Sequence, residues 1–209
     1  MGLDMYLSAR RTFHPTSAEA DAILSLAGVK APALASMSAK DPMQYETSVY
    51  LPMWNHCRDE TTAKARAVID MAGLTSFVTE DSPSGDLGYI DGRLYVSAHC
   101  LYWRKVNAVH SWFVENCQDG IDECQETEIH VEQLAALRSA CLKAVAAYEA
   151  GDLDVAEDAM TPRGGFFFGS TNVDEYWASS LARTATGIER VVNLAIETGG
   201  VDFTYQSSW

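Results

Sequence analysis

The sequence predicts an α+β fold: a small antiparallel sheet packed against three main helices, with a further helix and a β-hairpin as an insertion. Three observations carry that expectation. Apolar and polar residues alternate at the start of the chain and again at its end, the period of a half-buried strand. Two long segments of the second half place apolar residues at helical spacing. Between two strand-like runs stands Asp91-Gly92, a pair that tolerates positive φ and favours a tight hairpin turn. With 209 residues, 47% of them hydrophobic, the chain can bury one sizeable core, and a single domain over 1–209 is expected.

In chain order, residues 2–10 set Leu3, Met5 and Leu7 against Asp4, Tyr6 and Ser8, a strand with one buried face. Residues 16–28 are a short helix, with Thr16 and Glu19 in capping-box positions and Gly28 as its stop. Residues 29–55, rich in Ala, Pro, Ser and Met, show no period and read as a long loop with short elements. A second helix spans 59–73, a strand is expected at 74–80, and the hairpin covers 87–97. A third helix takes roughly 100–117, and acidic residues crowd the turn after it. A short strand follows at 127–131, then a helix at 132–151 with Leu134, Leu137, Cys141 and Val145 near one face. The glycine-bounded aromatic run 161–171 leads into the longest helix, 172–198, striped by Trp177, Leu181, Ile188, Val191 and Ala195. Gly199-Gly200 stop it, and 201–209 form a last strand. The sheet is expected to combine the first strand, the 127–131 strand and the last strand. The chain ends then become neighbours, with Asp4 and Tyr6 close to Tyr205 and Trp209.

The third helix poses the functional question. On a helical period Tyr102, Val106, Val109 and Phe113 form the core stripe, and Trp103, Asn107, His110 and Val114 the stripe beside it. An aromatic ring, an amide and an imidazole at the margin of a core can stack on and hydrogen-bond to a planar ligand. The same side chains can equally satisfy buried backbone groups and fill space. Arg104 and Lys105 add positive charge beside the stripe.

"GGFFFGSTNVDEYW" has no Gly-Lys-Ser/Thr ending and is not a Walker phosphate loop. Ser170 and Thr171 stand where a helix is expected to begin, and bare N–H groups there attract anions. Asp174 and Glu175 oppose a phosphate in that first turn, so capping, with Thr171 and Asp174 as an acidic variant of the capping box, is the favoured reading. Three consecutive phenylalanines cannot share one face of a strand; Phe167 is expected to point away from the core. His56-Cys57, His99-Cys100, Cys117 and Cys124 lack the spacing of a zinc site, and the acidic turn lacks a calcium-loop pattern, so neither a metal nor another cofactor is expected. No serine occupies a G-x-S-x-G elbow.

Twenty-nine acidic against fifteen basic residues give a formal charge of −14, which argues against direct nucleic-acid binding through phosphate neutralisation. An acidic DNA mimic fits the number too, though acids at this density usually make a solvated surface. No apolar run reaches the ~18 residues of a membrane span, and no export signal or myristoylation pattern opens the chain. The five cysteines are then expected as reduced thiols in a cytoplasm.

Several blocks carry a resemblance: "GLDMYL" at 2–7, "YWRKVNAVHSWFVEN" at 102–116, "DGIDEC" at 119–124, "GGFFFGSTNVDEYW" at 164–177 and "YQSSW" at 205–209. In this order they resemble a family of small, uncharacterised bacteriophage and prophage proteins. The likeness covers roughly 1–10 and 100–209 and leaves 11–99 as a variable, insertion-like part. Members are sometimes labelled phosphoglycerate kinase, a label this chain does not support, being half the needed size and without a nucleotide loop. The resemblance places the family pattern on Asp4, Tyr6, Trp103, Arg104, Asn107, His110, Trp112, Phe167, Gly169, Ser170, Thr171, Tyr176, Ser207, Ser208 and Trp209, and implies a ligand site near them. The expectation is a phage accessory protein of the host cytoplasm that binds a nucleotide-derived ligand and sequesters a host immune signal without turning it over. A hydrolase or transferase with His110 as general base and Asp4 or another acid as orienter is one alternative. The other is an acidic interaction module or DNA mimic presenting Asp119, Asp122 and Glu123 to a host enzyme. The aromatic end of the chain is compatible with a homodimer.

Overall fold

The computed structural model describes residues 2–29, 48–53 and 60–209. His56, Cys57 and most of the expected 29–55 loop lie outside the described residues. The fold is α+β. Its elements are β1 (Asp4–Phe13), α1 (Ala18–Ala27), β2 (Val49–Pro52), α2 (Glu60–Met71), a 3-10 turn (Thr75–Phe77), β3 (Ser84–Ile90), β4 (Arg93–Arg104), α3 (Asn107–Cys117), β5 (Thr127–Ile129), α4 (Val131–Glu149), α5 (Leu153–Ala159), α6 (Glu175–Thr198) and β6 (Asp202–Ser208). The strands make a six-stranded antiparallel sheet in the order β2-β3-β4-β1-β6-β5. By contacts the chain divides into two units, Met1–Leu7 with Leu101–Trp209, and Ser8–Cys100.

In the Ser8–Cys100 unit, α1 packs on α2 and α2 on β2. Asp91 (φ 48°) and Gly92 (φ 72°) close the β3–β4 hairpin with both central residues left-handed, as the dipeptide predicts, and Ile90 faces Arg93 across it. Val49–Pro52, a strand paired with β3, is one of the short elements expected within 29–55. Two expectations are corrected here. Ser17, not Thr16, caps α1, accepting from Ala20 N at 3.1 Å, while the Thr16 hydroxyl meets His14 Nδ1. The expected strand at 74–80 is instead the 3-10 turn, because Leu74 and Phe77 are both fully buried. Residues three apart share a side of a turn, whereas on a strand they face opposite ways.

In the other unit, α4 packs against α5 and α6. Leu3, just before β1, and Met5 and Leu7 on it are fully buried while Asp4 and Tyr6 alternate outward. The stripe of α6, Trp177, Leu181, Ile188 and Val191, is buried, with Ala195 half-buried. On α4, Ala144 takes the buried place expected of Val145. Helix α5, which the sequence reading omits, is capped by Asp152 accepting from Val155 N. Helix α6 begins at Glu175 with Asp174 as its cap, so Ser170 and Thr171 precede the helix rather than open it. Residues 166–168 form a turn, not a strand, and Phe166 is the outlying ring, 92% exposed, while Phe167 is half-buried and Phe168 buried. Among the described residues, no helix is long and apolar enough to cross a membrane.

Candidate functional site

The expected helix over 100–117 divides in two. Strand β4 runs on through Arg104, and α3 starts only at Asn107. Between them Lys105 adopts φ 58°, a left-handed conformation that costs a non-glycine residue about 1 kcal/mol, and its N–H donates to Leu3 O at 2.8 Å. Trp103 therefore shares no helical line with Asn107 and His110. It lies on the strand, buried, tilted on Phe113, with its indole N–H donating to Thr184 Oγ1 on α6 at 2.9 Å. Trp103 is a core residue with its one polar atom satisfied.

Asn107, 3% exposed, opens α3 and braces the glycine-bounded loop. Its Nδ2 donates to Phe168 O (3.2 Å) and Ser170 O (2.8 Å). The Leu3 N–H holds the same loop at Phe167 O, 3.3 Å away. These bonds press the edge of Phe168 against His110, with ring centroids 5.2 Å apart.

One turn further along α3, His110 is fully buried. Its Nε2 lies 3.0 Å from Asp122 Oδ2 and its Nδ1 2.8 Å from the Tyr205 hydroxyl. Asp122 also accepts from Trp209 Nε1 (3.1 Å) and faces Arg163 Nε at 3.5 Å, so it serves all its partners as an acceptor. We therefore assign the His110 proton to Nε2, leaving Nδ1 to accept from Tyr205. Burial lowers the imidazole pKa, and the neighbouring Asp122 charge opposes that without reversing it. Burial raises the Tyr205 phenol well above its usual value. Tyr205 stacks on Phe113 at 3.9 Å, and Phe168 meets Trp209 edge-on. The result is a polar chain, Trp209–Asp122–His110–Tyr205, enclosed by rings.

Asp4 does not reach His110. The pleat of β1 turns it outward, where the Tyr102 hydroxyl (2.5 Å) and Arg104 Nη1 (2.8 and 3.1 Å) converge on its carboxylate. Tyr6 tilts on Tyr102 at 5.3 Å. The acid beside His110 is Asp122 instead, which withdraws it from the open acidic face expected of Asp119, Asp122 and Glu123.

A cleft of about 170 Å³ opens where the start of α3, the glycine loop and the start of α6 face one another. Lys105, Val106, Asn107, Ala108, Gly169, Ser170, Asn172, Asp174, Tyr176, Trp177 and Ser180 line it. Gly169 is left-handed at φ 91°, and a β-carbon there would stand 3.2 Å from Lys105 Cβ, so glycine keeps this wall open. Tyr176 is 57% exposed, and Ser170 Oγ is turned back to accept from Asn172 N.

Of the expected site residues, Asn107, Ser170 and Tyr176 thus border the cleft. His110 belongs to the polar chain, with the half-exposed Trp209 at its outer end, and Asp4, Tyr6 and Arg104 to an outward cluster. Trp103 is core, Phe167 and Thr171 flank the loop, and Ser207 is buried on β6. They do not meet around one hollow. Sequence reasoning overlooked Asp122 as the partner of His110, and Lys105 and Trp177 as cleft walls. Lys105 stood beside the right residues, but Trp177 looked like one more member of an apolar stripe. Among the described residues no group of three His, Cys, Asp or Glu could hold a metal ion. Burial pushes the thiols of Cys117 and Cys141 up to about 11 and about 12. No protein-family model, no curated protein and no solved structure matches the chain.

Proposed function

We propose that the protein binds one moiety of a nucleotide-derived ligand in the cleft between α3, the glycine loop and α6, without transforming it. The observation that carries the reading is the cleft lining, mostly apolar with Val106, Ala108, Tyr176 and Trp177 among its residues and Lys105 beside them. Rings that size stack on a planar base, and the cation suits a phosphate. About 170 Å³ is below the roughly 300 Å³ at which pockets enclose drug-sized ligands, so a base fits and the remainder of the ligand lies outside. Catalysis by His110 is the weaker reading. A general base must reach the proton it removes, and this imidazole is fully buried with both nitrogens engaged. Joined to the resemblance to phage and prophage proteins, the reading is sequestration of a host signalling nucleotide in the cytoplasm.

The test is thermal melting with cyclic dinucleotides, ADP-ribose and adenosine monophosphate. A ligand at a hundredfold its Kd contributes about 2.7 kcal/mol, or roughly 5–10 °C in a chain this long. Tyr176→Ala, at an exposed position, should remove that rise and leave the ligand-free melt unchanged. No shift with any of these compounds at millimolar concentration overturns the proposal.

A further inference from the structure

We infer that the Ser8–Cys100 unit carries a binding site of its own, a cleft between α2, the end of β2 and the segment after α2, which takes a short peptide with apolar side chains and two charged ends. The inference does not rest on the function proposed above, which concerns a different cleft.

The cleft measures about 760 Å³, within the roughly 300–1,000 Å³ range of ligand pockets. Its least exposed lining residues are apolar: Met53 and Ile69 are buried, and Val78 and Pro83 are half-buried beside them. Backbone bonds fix the surrounding chain. Met53 N donates to Pro83 O at 2.8 Å, and Thr79 N to His99 O at 2.9 Å.

Arg66, Asp70 and Glu80 set the charge of the lining. Arg66 and Asp70 stand four apart on α2, the spacing at which opposite charges on a helix meet. Glu60 and Lys64, with the same spacing on the same helix, do pair, at 2.6 Å. Arg66 instead donates to Met53 O at 3.2 Å, and Asp70 accepts from Thr75 Oγ1 at 3.0 Å. Both ends of each bond belong to the cleft lining, so the two side chains lie along the cleft and are drawn to different parts of it. A guanidinium carries five N–H donors and serves several acceptors at once. Glu80 is exposed and meets no hydrogen-bonding or charged partner among the described residues.

A cation and two carboxylates kept apart beside an apolar surface suit a ligand with a carboxylate at one end, an ammonium at the other and apolar groups between them. Two carboxylates against one guanidinium disfavour a phosphate. A single amino acid bears both charges on one carbon and leaves most of the volume unfilled. A peptide of about three residues extends roughly 10 Å, comparable with the breadth of a cleft this large.

The experiment titrates the full chain, labelled with carbon-13 at Met, Ile and Val methyl groups, with the tripeptide Leu-Gly-Leu, its N-acetyl form, its C-terminal amide, and leucine. We expect the free tripeptide to move the Met53, Ile69 and Val78 methyl signals saturably. Acetylation and amidation should each weaken binding about three- to fivefold, the scale of a solvent-exposed ion pair, and leucine should bind at least tenfold more weakly. Asp70→Asn combined with Glu80→Gln should bind the free and acetylated peptides alike, and Arg66→Gln the free and amidated ones. Glu80→Gln by itself alters a side chain without a partner, so it should keep the parent melting temperature and still show part of the loss. A free tripeptide that leaves the three methyl signals still at millimolar concentration overturns the inference, as do acetylated and amidated forms that bind as tightly as the free one. Leucine binding as tightly as the tripeptide overturns the assignment to a peptide. Nucleotides that raise the melting temperature while the tripeptide stays silent would leave the proposed function standing without this site; the reverse result would leave the site without that function.

Discussion

Replacing Tyr205 by Phe removes one oxygen from the molecule and nothing else of consequence. The ring is fully buried and stacked on Phe113 at 3.9 Å, an arrangement phenylalanine keeps. What goes is the hydroxyl that donates to His110 Nδ1 at 2.8 Å. The imidazole has no exposure, so water cannot take the vacated place, and a buried acceptor is left unpaired. Such losses cost about 1–3 kcal/mol, against about 0.5–1.5 for a bond whose partners can rehydrate. Near 2 kcal/mol, the melting temperature should fall by roughly 4–8 °C. The assay is calorimetry at pH 7.5, where the imidazole is neutral, with Tyr102→Phe as the matched control. Tyr102 also donates to a side chain, Asp4 at 2.5 Å, but from a half-buried position where water and Arg104 remain to serve the carboxylate. It should lose half as much or less. A Tyr205→Phe protein as stable as the parent would refute the hydroxyl–imidazole bond and the polar chain built on it.

Other outcomes follow from the same geometry. Lowering the pH from 7 towards 4 should destabilise the fold: burial holds His99 down to about 4 and lowers His110 too, so below about 6.5 the unfolded chain binds protons the folded chain refuses. For His99 this amounts to about 3 kcal/mol by pH 4, and a His99→Gln variant should show a flatter pH profile in urea titrations. Asn107→Ala strips two donors from Phe168 O and Ser170 O; about 2–3 kcal/mol should be lost, with faster amide exchange in 164–171 and at least tenfold weaker ligand binding. Gly169→Ala meets Lys105 from a left-handed backbone and should weaken binding more than it lowers the melting temperature of the free protein. Arg104→Ala should leave stability unchanged within error, since its ion pair with Asp4 is half in solvent.

Short-range periodicity encodes a definite part of this fold. The alternation of Leu3, Met5 and Leu7 against Asp4 and Tyr6, the Asp91-Gly92 turn and the stripe of α6 depend on neighbours a few residues apart, and each stands where it was read. The α+β class and the pairing of the first, last and 127–129 strands follow from such segments. Where two local codes overlapped, reading failed. Trp103, Asn107 and His110 fit a helical line, and only the continuation of β4 through Arg104, ended by the left-handed Lys105 whose N–H donates to Leu3 O, decided that Trp103 belongs to a strand. Tertiary structure alone brought Asp122 to His110 across a turn, and Tyr205 to it from 95 residues away. It alone left the buried Trp177 indole N–H without an acceptor among the described residues. Which partner a polar group finds, or lacks, depends on residues distant in the chain, and no period along the sequence records that.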